Sequence, residues 1–184
     1  MKIRRLLLTL VSLAVSSIAV AGQTGAALPE EARKRLDYEV GDWRSKSEAL
    51  DRNGQVTSTS YSRTQRRYVI PGRVLEISGV IEANSQTFRA WVYYSIQEKK
   101  YCLTSIDGNG SLWTFKGDLG QEFTWTSEPR KRPDGTTYQM RFTHYDFEEN
   151  SFTALGERSF DGGKTWIAFS RQSLTRTGKG PDFE

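Results

Sequence analysis

The stretch Gly41-Asp42-Trp43-Arg44-Ser45-Lys46-Ser47-Glu48-Ala49 decides the fold. Charges stand at every even position from 42 to 48 and at none of the odd ones. A period of two sends alternate side chains to opposite faces of an extended chain, so this is a strand with one wet face. Asn53-Gly54 follows as a hairpin turn. Gln55 to Tyr68 is extended and rich in Thr, Ser and Tyr, and Pro71-Gly72 breaks it. In Arg73 to Glu82, Leu75, Ile77 and Ile81 share one parity. Thr87 to Ile96 puts Phe88, Ala90, Val92, Tyr94 and Ile96 on one face and Arg89, Trp91 and Tyr93 on the other.

The same texture runs to the C-terminal end. Lys99–Ile106, Ser111–Lys116, Glu122–Ser127, Tyr138–Tyr145, Ser151–Arg158 and Thr165–Thr177 read as strands. Asp107-Gly108-Asn109-Gly110, Gly117-Asp118-Leu119-Gly120, Pro133-Asp134-Gly135, Glu148-Glu149-Asn150 and Asp161-Gly162-Gly163 read as the turns between them. That makes about ten strands between residues 42 and 177 with short connections and no helical period. Short turns imply antiparallel neighbours. An open sheet of that size would twist strongly and leave two unpaired edges, which closure removes. The predicted fold is all-β, an up-and-down barrel of about ten strands, with a two-sheet β-sandwich as the alternative.

Upstream, Leu28 to Leu36 reads as one short helix. Pro29 suits its first position, Glu30 and Glu31 lie at the positive end of the dipole, and Arg33-Lys34-Arg35 form a solvated face toward the other end. Further upstream, Lys2, Arg4 and Arg5 precede an uncharged run, Leu6 to Val20, and Ala19-Val20-Ala21 offers a small-x-small cleavage site. This is the pattern of a secretory signal peptide. The expected layout is a signal over 1–21, a leader and short helix over 22–40, a barrel over 41–178 and a tail over 179–184. The mature protein is then periplasmic or secreted, with no stable membrane anchor.

The signal changes the charge. The 184 residues carry 26 basic and 22 acidic side chains, a balance of +4. Three of the basic ones and none of the acidic ones lie in residues 1–21, which leaves +1. A chain so nearly neutral has no global attraction for nucleic acid. Cys102 is the one cysteine, so no intrachain disulfide forms, and its apolar neighbours mark it as a small buried hydrophobe.

Two motifs carry a resemblance. Gly41-Asp42-Trp43 at the head of the first strand resembles the G-x-W opening of lipocalins and other calycin barrels, where the Trp plugs one end. Ser159-Phe160-Asp161-Gly162-Gly163-Lys164-Thr165-Trp166 resembles the Asp-box hairpin, in one copy and in a chain too short for a propeller. Together they resemble an uncharacterised family of exported bacterial calycin-like proteins. The resemblance spans Gly41 to Thr177 and implies the fold without an activity. A more distant, fold-level likeness is to nitrobindin-type barrels, which hold haem through a barrel His.

Little in the chain looks like catalytic machinery. A single His, His144, nearly excludes His triads and multi-His metal sites, and there is no phosphate loop, C-x-x-C or H-E-x-x-H. No metal site and no catalytic residue is assigned, and no cofactor is expected, haem on His144 being the minor alternative. Asp146, Glu148 and Glu149 read as a solvated turn. His144 shares its parity with Tyr138, Met140 and Phe142, the apolar side of its strand.

The five Trp, eight Tyr and nine Phe all lie beyond the signal. In a barrel of this size they either fill the core or line a cavity wide enough for a small ligand. The leading expectation is an exported small-molecule-binding protein that holds an apolar or aromatic ligand in its lumen. Trp43 closes one end; Trp91, Trp113, Trp125 and Phe142 are wall candidates; His144 or Arg141 orients a polar group. Arg66 and Arg89 also lie mid-strand, where they can meet an anionic head group. One alternative is an enzyme on the same barrel that uses His144. The other is a structural or interaction module with a solid core. Aromatics on both parities of residues 87–96 allow a homodimer.

Overall fold

The computed structural model describes residues 26–118 and 123–179. A helix, α1 (Glu30–Glu39), precedes ten long strands and one very short one. The strands are β1 (Gly41–Leu50), β2 (Val56–Ile70), β3 (Val74–Ile81), β4 (Thr87–Ser95), β5 (Lys100–Asp107), β6 (Leu112–Gly117), β7 (Phe123–Ser127), β8 (Arg130–Lys131), β9 (Thr137–Tyr145), β10 (Ser151–Ser159) and β11 (Ile167–Gly178). Each long strand pairs antiparallel with the next in sequence, β7 passing directly to β9. The last strand returns to the first, Ser45 opposite Leu174, so the sheet closes into a ten-stranded barrel rather than a sandwich. The extra strand, β8, pairs only with the start of β9 and is too short to have a sequence period. The segment predicted as a signal peptide lies outside the described residues, as does the turn at 119–122.

The wet and dry faces follow the parity of the sequence. In β1 the charged even positions face out and Trp43, Ser45 and Ser47 face in. In β4, Ala90, Val92 and Tyr94 are buried, while Arg89 and Tyr93 are exposed. Gly79 of β3 stands opposite Phe88 of β4, and a Cβ there would come within 2.2 Å of the Phe88 ring. The Asp161 hairpin is a closed polar loop. Its carboxylate accepts the backbone N–H of Lys164 and of Thr165, each at 3.0 Å, and the hydroxyls of Ser159 and Thr165.

Two readings of the helix need correction. Pro29 is the N-cap rather than the first helical residue, and the helix runs three residues beyond Leu36 to Glu39. Arg33, Lys34 and Arg35 therefore sit in mid-helix, and the last turn has no basic residue. Arg35 is not on a solvated face. The helix lies across the end of the barrel where β1 begins. Ala32 and Leu36 are fully buried against the core that includes Leu75, Tyr94 and Tyr101. The Tyr101 hydroxyl donates to the Ala32 carbonyl at 2.8 Å.

Gly41 joins helix to barrel with φ of +138°, and a Cβ there would stand 2.8 Å from the Gly178 carbonyl oxygen on β11. Gly41→Ala should therefore destabilise the fold by about 1–3 kcal/mol, the usual cost of a forced positive φ, and lower the urea midpoint of unfolding. An unchanged midpoint would show that this junction is slack.

Candidate functional site

Above the helix the barrel is hollow. The lumen is a cavity of about 410 Å³. Three groups of residues surround it. The apolar wall carries Ile77, Ile81, Phe88, Ala90, Val92 and Leu103 from β3 to β5, then Trp113, Phe115, Trp125, Met140 and Phe142 from β6 to β9. A hydroxyl seam faces it. Ser45 and Ser47 of β1 stand in register with Ser62 and Ser60 of β2, extended by Thr64 and by Gln172 of β11. The floor presents Glu39, Arg66 and His144, with Phe152 and Leu174 beside them.

Several inward side chains keep accessible surface although they lie deep in the barrel. His144, Phe142, Met140 and Trp113 are only half-buried, and in a filled core they would be sealed. A dry void of this volume would cost about 10 kcal/mol at ~24 cal/mol per Å³. That is as much as a whole domain's stability, about 5–15 kcal/mol. A polar seam and floor make the lumen habitable for water or for a ligand with a polar end.

The floor is built around one carboxylate. Glu39, the last residue of α1, accepts from Arg35 at 2.8 Å through one oxygen and pairs with Arg66 through the other. Its backbone carbonyl accepts the Trp43 indole N–H at 2.9 Å. The Arg66 guanidinium lies over the Trp43 ring at 5.0 Å, and Arg176 lies over the same ring at 4.8 Å. Arg35 is packed among rings, 4.4 Å from the Phe147 centroid and 4.9 Å from that of Phe123. Burial pulls Arg35 down to about 10 and Arg66 to about 9, so both are cations at neutral pH.

His144 is held by Arg35, whose Nη2 lies 3.2 Å from its Nδ1. A guanidinium has donors only, so Nδ1 accepts, and the neutral ring carries its proton on Nε2. Burial, with the Arg35 and Arg66 charges, holds the imidazole well below its usual range. Among the described residues no carboxylate hydrogen-bonds it.

The sequence-predicted site residues divide. Trp113, Trp125, Phe142 and His144 are brought together on the lumen wall and floor. Trp43 is 1% exposed and lies in the floor structure rather than on the cavity wall. Trp91 and Arg141 face outward, because each alternates with an inward neighbour, Val92 and Phe142 respectively. Arg141 is committed there to a two-pronged ion pair with Glu157, at 2.6 and 3.0 Å, and stacks on Trp166 at 4.4 Å. Arg89 likewise pairs outside with Glu76. Arg35, Glu39 and the hydroxyl seam were missed. The seam had a signal, since the dry parity of β1 is serine rather than apolar. Cys102 is buried on the outer face near Tyr93, its thiol pushed up by burial. Among the described residues no three His, Cys, Asp or Glu side chains converge as a metal site.

The depressed His144 has a consequence for stability. As pH falls through 6.5 the unfolded chain takes up a proton that the folded chain refuses, so stability falls with pH. The loss is roughly 1 kcal/mol between pH 6.5 and 5.5 for one such group. His144→Phe should flatten that part of the melting-temperature profile. An equal slope in the variant would place the titration elsewhere.

No family profile and no curated protein sequence matches the chain. Among solved structures, the S-type phycobiliprotein lyase CPES from Guillardia theta aligns with 78% of this chain and 90% of its own, with a TM-score of 0.49 and 12% identity. At that level the likeness is to the course of the backbone alone.

Proposed function

We propose that this protein binds a small apolar or aromatic molecule in the barrel lumen and performs no chemistry on it. One observation carries the reading: an interior of about 410 Å³ walled by Trp113, Phe115, Trp125, Phe142 and Phe88 that side chains leave unfilled. The volume falls in the usual range of ligand pockets, about 300–1,000 Å³. Aromatic walls suit a flat apolar body through offset and edge-to-face contacts, and the hydroxyl seam supplies donors along one side. A solid-core interaction module is the weaker account, because it gives no reason for the hollow.

His144 suits an enzyme poorly. Its Nδ1 partner is a cation, which lowers its basicity, whereas a catalytic His is oriented by an acceptor. It suits haem poorly for the same reason. Axial ligation needs a lone pair on Nε2, and Arg35 drives the proton onto that atom. The residues of the floor therefore do not fit a haem site.

N-phenyl-1-naphthylamine, a neutral dye that brightens in apolar surroundings, tests the lumen. It should bind with quenching of Trp113 and Trp125. Ser105→Trp, which puts an indole into the cavity from mid-β5, should weaken binding at least tenfold at an overpacking cost of about 1–3 kcal/mol. Binding that is absent, or equal in a folded Ser105→Trp, sinks the reading.

Export belongs to the same proposal and is supported by the pattern of residues 1–21 alone. Expressed in a bacterium, the protein should be recovered from the periplasm or medium with Gly22 as its first residue. A cytoplasmic product that retains Met1 would refute it.

A further inference from the structure

The floor of the lumen carries more positive charge than its own carboxylate balances. Arg66 is buried, Arg35 is largely so, and both use Glu39. Glu39 is also the only acidic side chain lining the cavity among the described residues, and Arg66 the only Arg or Lys. Among the described residues, these three side chains thus leave one positive charge uncompensated at the floor. Arg176, over the Trp43 ring, adds a further cation nearby. Burying an unmatched charge is costly, and a protein that keeps one has a use for it.

The donors are also incompletely used. Arg66 is 6% exposed, and its guanidinium has two protein acceptors among the described residues, Glu39 and the Thr64 hydroxyl. Its Nη2 makes no hydrogen bond there. Among the described residues His144 makes a single hydrogen bond, through Nδ1, and its Nε2–H has no protein acceptor. Both groups line the lumen and both stand against the Phe152 ring, the imidazole at 4.9 Å and the guanidinium at 5.8 Å between centres. Among the described residues two donors there have no acceptor, and the floor has an excess of one positive charge.

Resting on the lumen-binding reading, we infer that the ligand is an amphipathic monocarboxylate whose carboxylate seats on the floor against Arg66 and the Nε2–H of His144, its apolar body running toward Trp113. A planar group with two oxygens can set one on the Nη2 N–H of Arg66 and the other on the imidazole Nε2–H. A single negative charge cancels the excess, whereas a phosphate monoester, at about −1.5 to −2, would overshoot it among apolar walls. The burial-lowered positions of Arg35 and Arg66 leave both charged at neutral pH, as the pairing requires.

The test uses the whole protein with N-phenyl-1-naphthylamine as reporter and two competitors that differ only in the head group, decanoate and decan-1-ol. Decanoate should displace the dye at roughly tenfold lower concentration, the worth of one charge-assisted pair. Arg66→Gln should abolish that preference, decanoate then competing no better than decan-1-ol. The variant leaves Glu39 paired with Arg35, so no carboxylate is stranded. His144→Phe should reduce the preference in part. Equal displacement by the two competitors on the unaltered protein overturns the carboxylate inference, while dye binding still upholds the lumen. A preference that survives in Arg66→Gln overturns the assigned seat. If Arg66→Gln does not fold, the comparison on the unaltered protein and on His144→Phe decides. Failure of the dye to bind removes both readings together.

Discussion

The Glu39 carboxylate, divided between Arg35 and Arg66, is the contact on which the rest of the molecule depends. It sits at the last turn of α1, where the chain must leave the helix and start the barrel. One oxygen ties the helix to itself, the other ties it to β2, and the backbone carbonyl of the same residue holds the indole of β1. The first two strands and the helix therefore share one anchor. Losing the carboxylate itself would strand two cations, and an uncompensated buried charge typically costs about 3–5 kcal/mol. The Tyr101 hydroxyl on the Ala32 carbonyl, the Tyr68 hydroxyl on Asp37 and the Tyr38 hydroxyl on the Ser151 carbonyl also hold the helix across the barrel end. Its apolar contacts through Ala32 and Leu36 drive burial but slide easily. The ion pairs set where it stops.

With the helix so placed, the barrel is closed at one end and hollow above it. Ten strands make a wider interior than side chains of ordinary size can fill. The sequence responds with large rings on β6 to β9 and with serines on β1 and β2, so the hollow is asymmetric rather than a uniform void. A groove of about 310 Å³ at the β3–β4 and β5–β6 turns shares Ile81, Phe88, Ser105 and Trp113 with the lumen, which carries the apolar wall out to the rim. The Arg130 guanidinium of β8, stacked 3.5 Å from the centre of the Trp113 ring, borders the same region.

The barrel was legible because its cause is local. Alternation in β1 and β4, the Asn53-Gly54 turn and the glycine-rich breaks are readable within a few residues, and antiparallel closure follows from short connections. The wall residues were legible where parity was followed consistently. Trp113, Trp125, Phe142 and His144 are such cases. Arg141 was not, since it adjoins Phe142 and His144 in the chain but alternates with them in space. The floor was illegible for another reason. Arg35 meets His144 across 109 positions, and Arg66 meets Glu39 across 27. In sequence, Arg35 is one of three consecutive basic residues on a short helix, and nothing local separates it from Arg33 and Lys34, which stay exposed. Only the extension of the helix to Glu39 and its seat on the barrel make that one arginine internal.

The charge balance acquires a different meaning in this light. The balance of 26 basic against 22 acidic side chains is mostly a matter of the outer surface, where Arg44 and Arg63 meet Glu82, Arg89 meets Glu76, Arg141 meets Glu157 and Arg171 meets Glu48. Exposed pairs of that kind are each worth about 0–1 kcal/mol and cancel over a Debye length of roughly 8–10 Å. The one charge left over in the floor is different, because it lies beneath an apolar lumen where water screens it poorly. A chain can thus pair most of its outer charges and still present a concentrated positive centre to whatever enters its barrel. Composition alone is blind to that distinction. It depends on which side of ten strands each arginine faces.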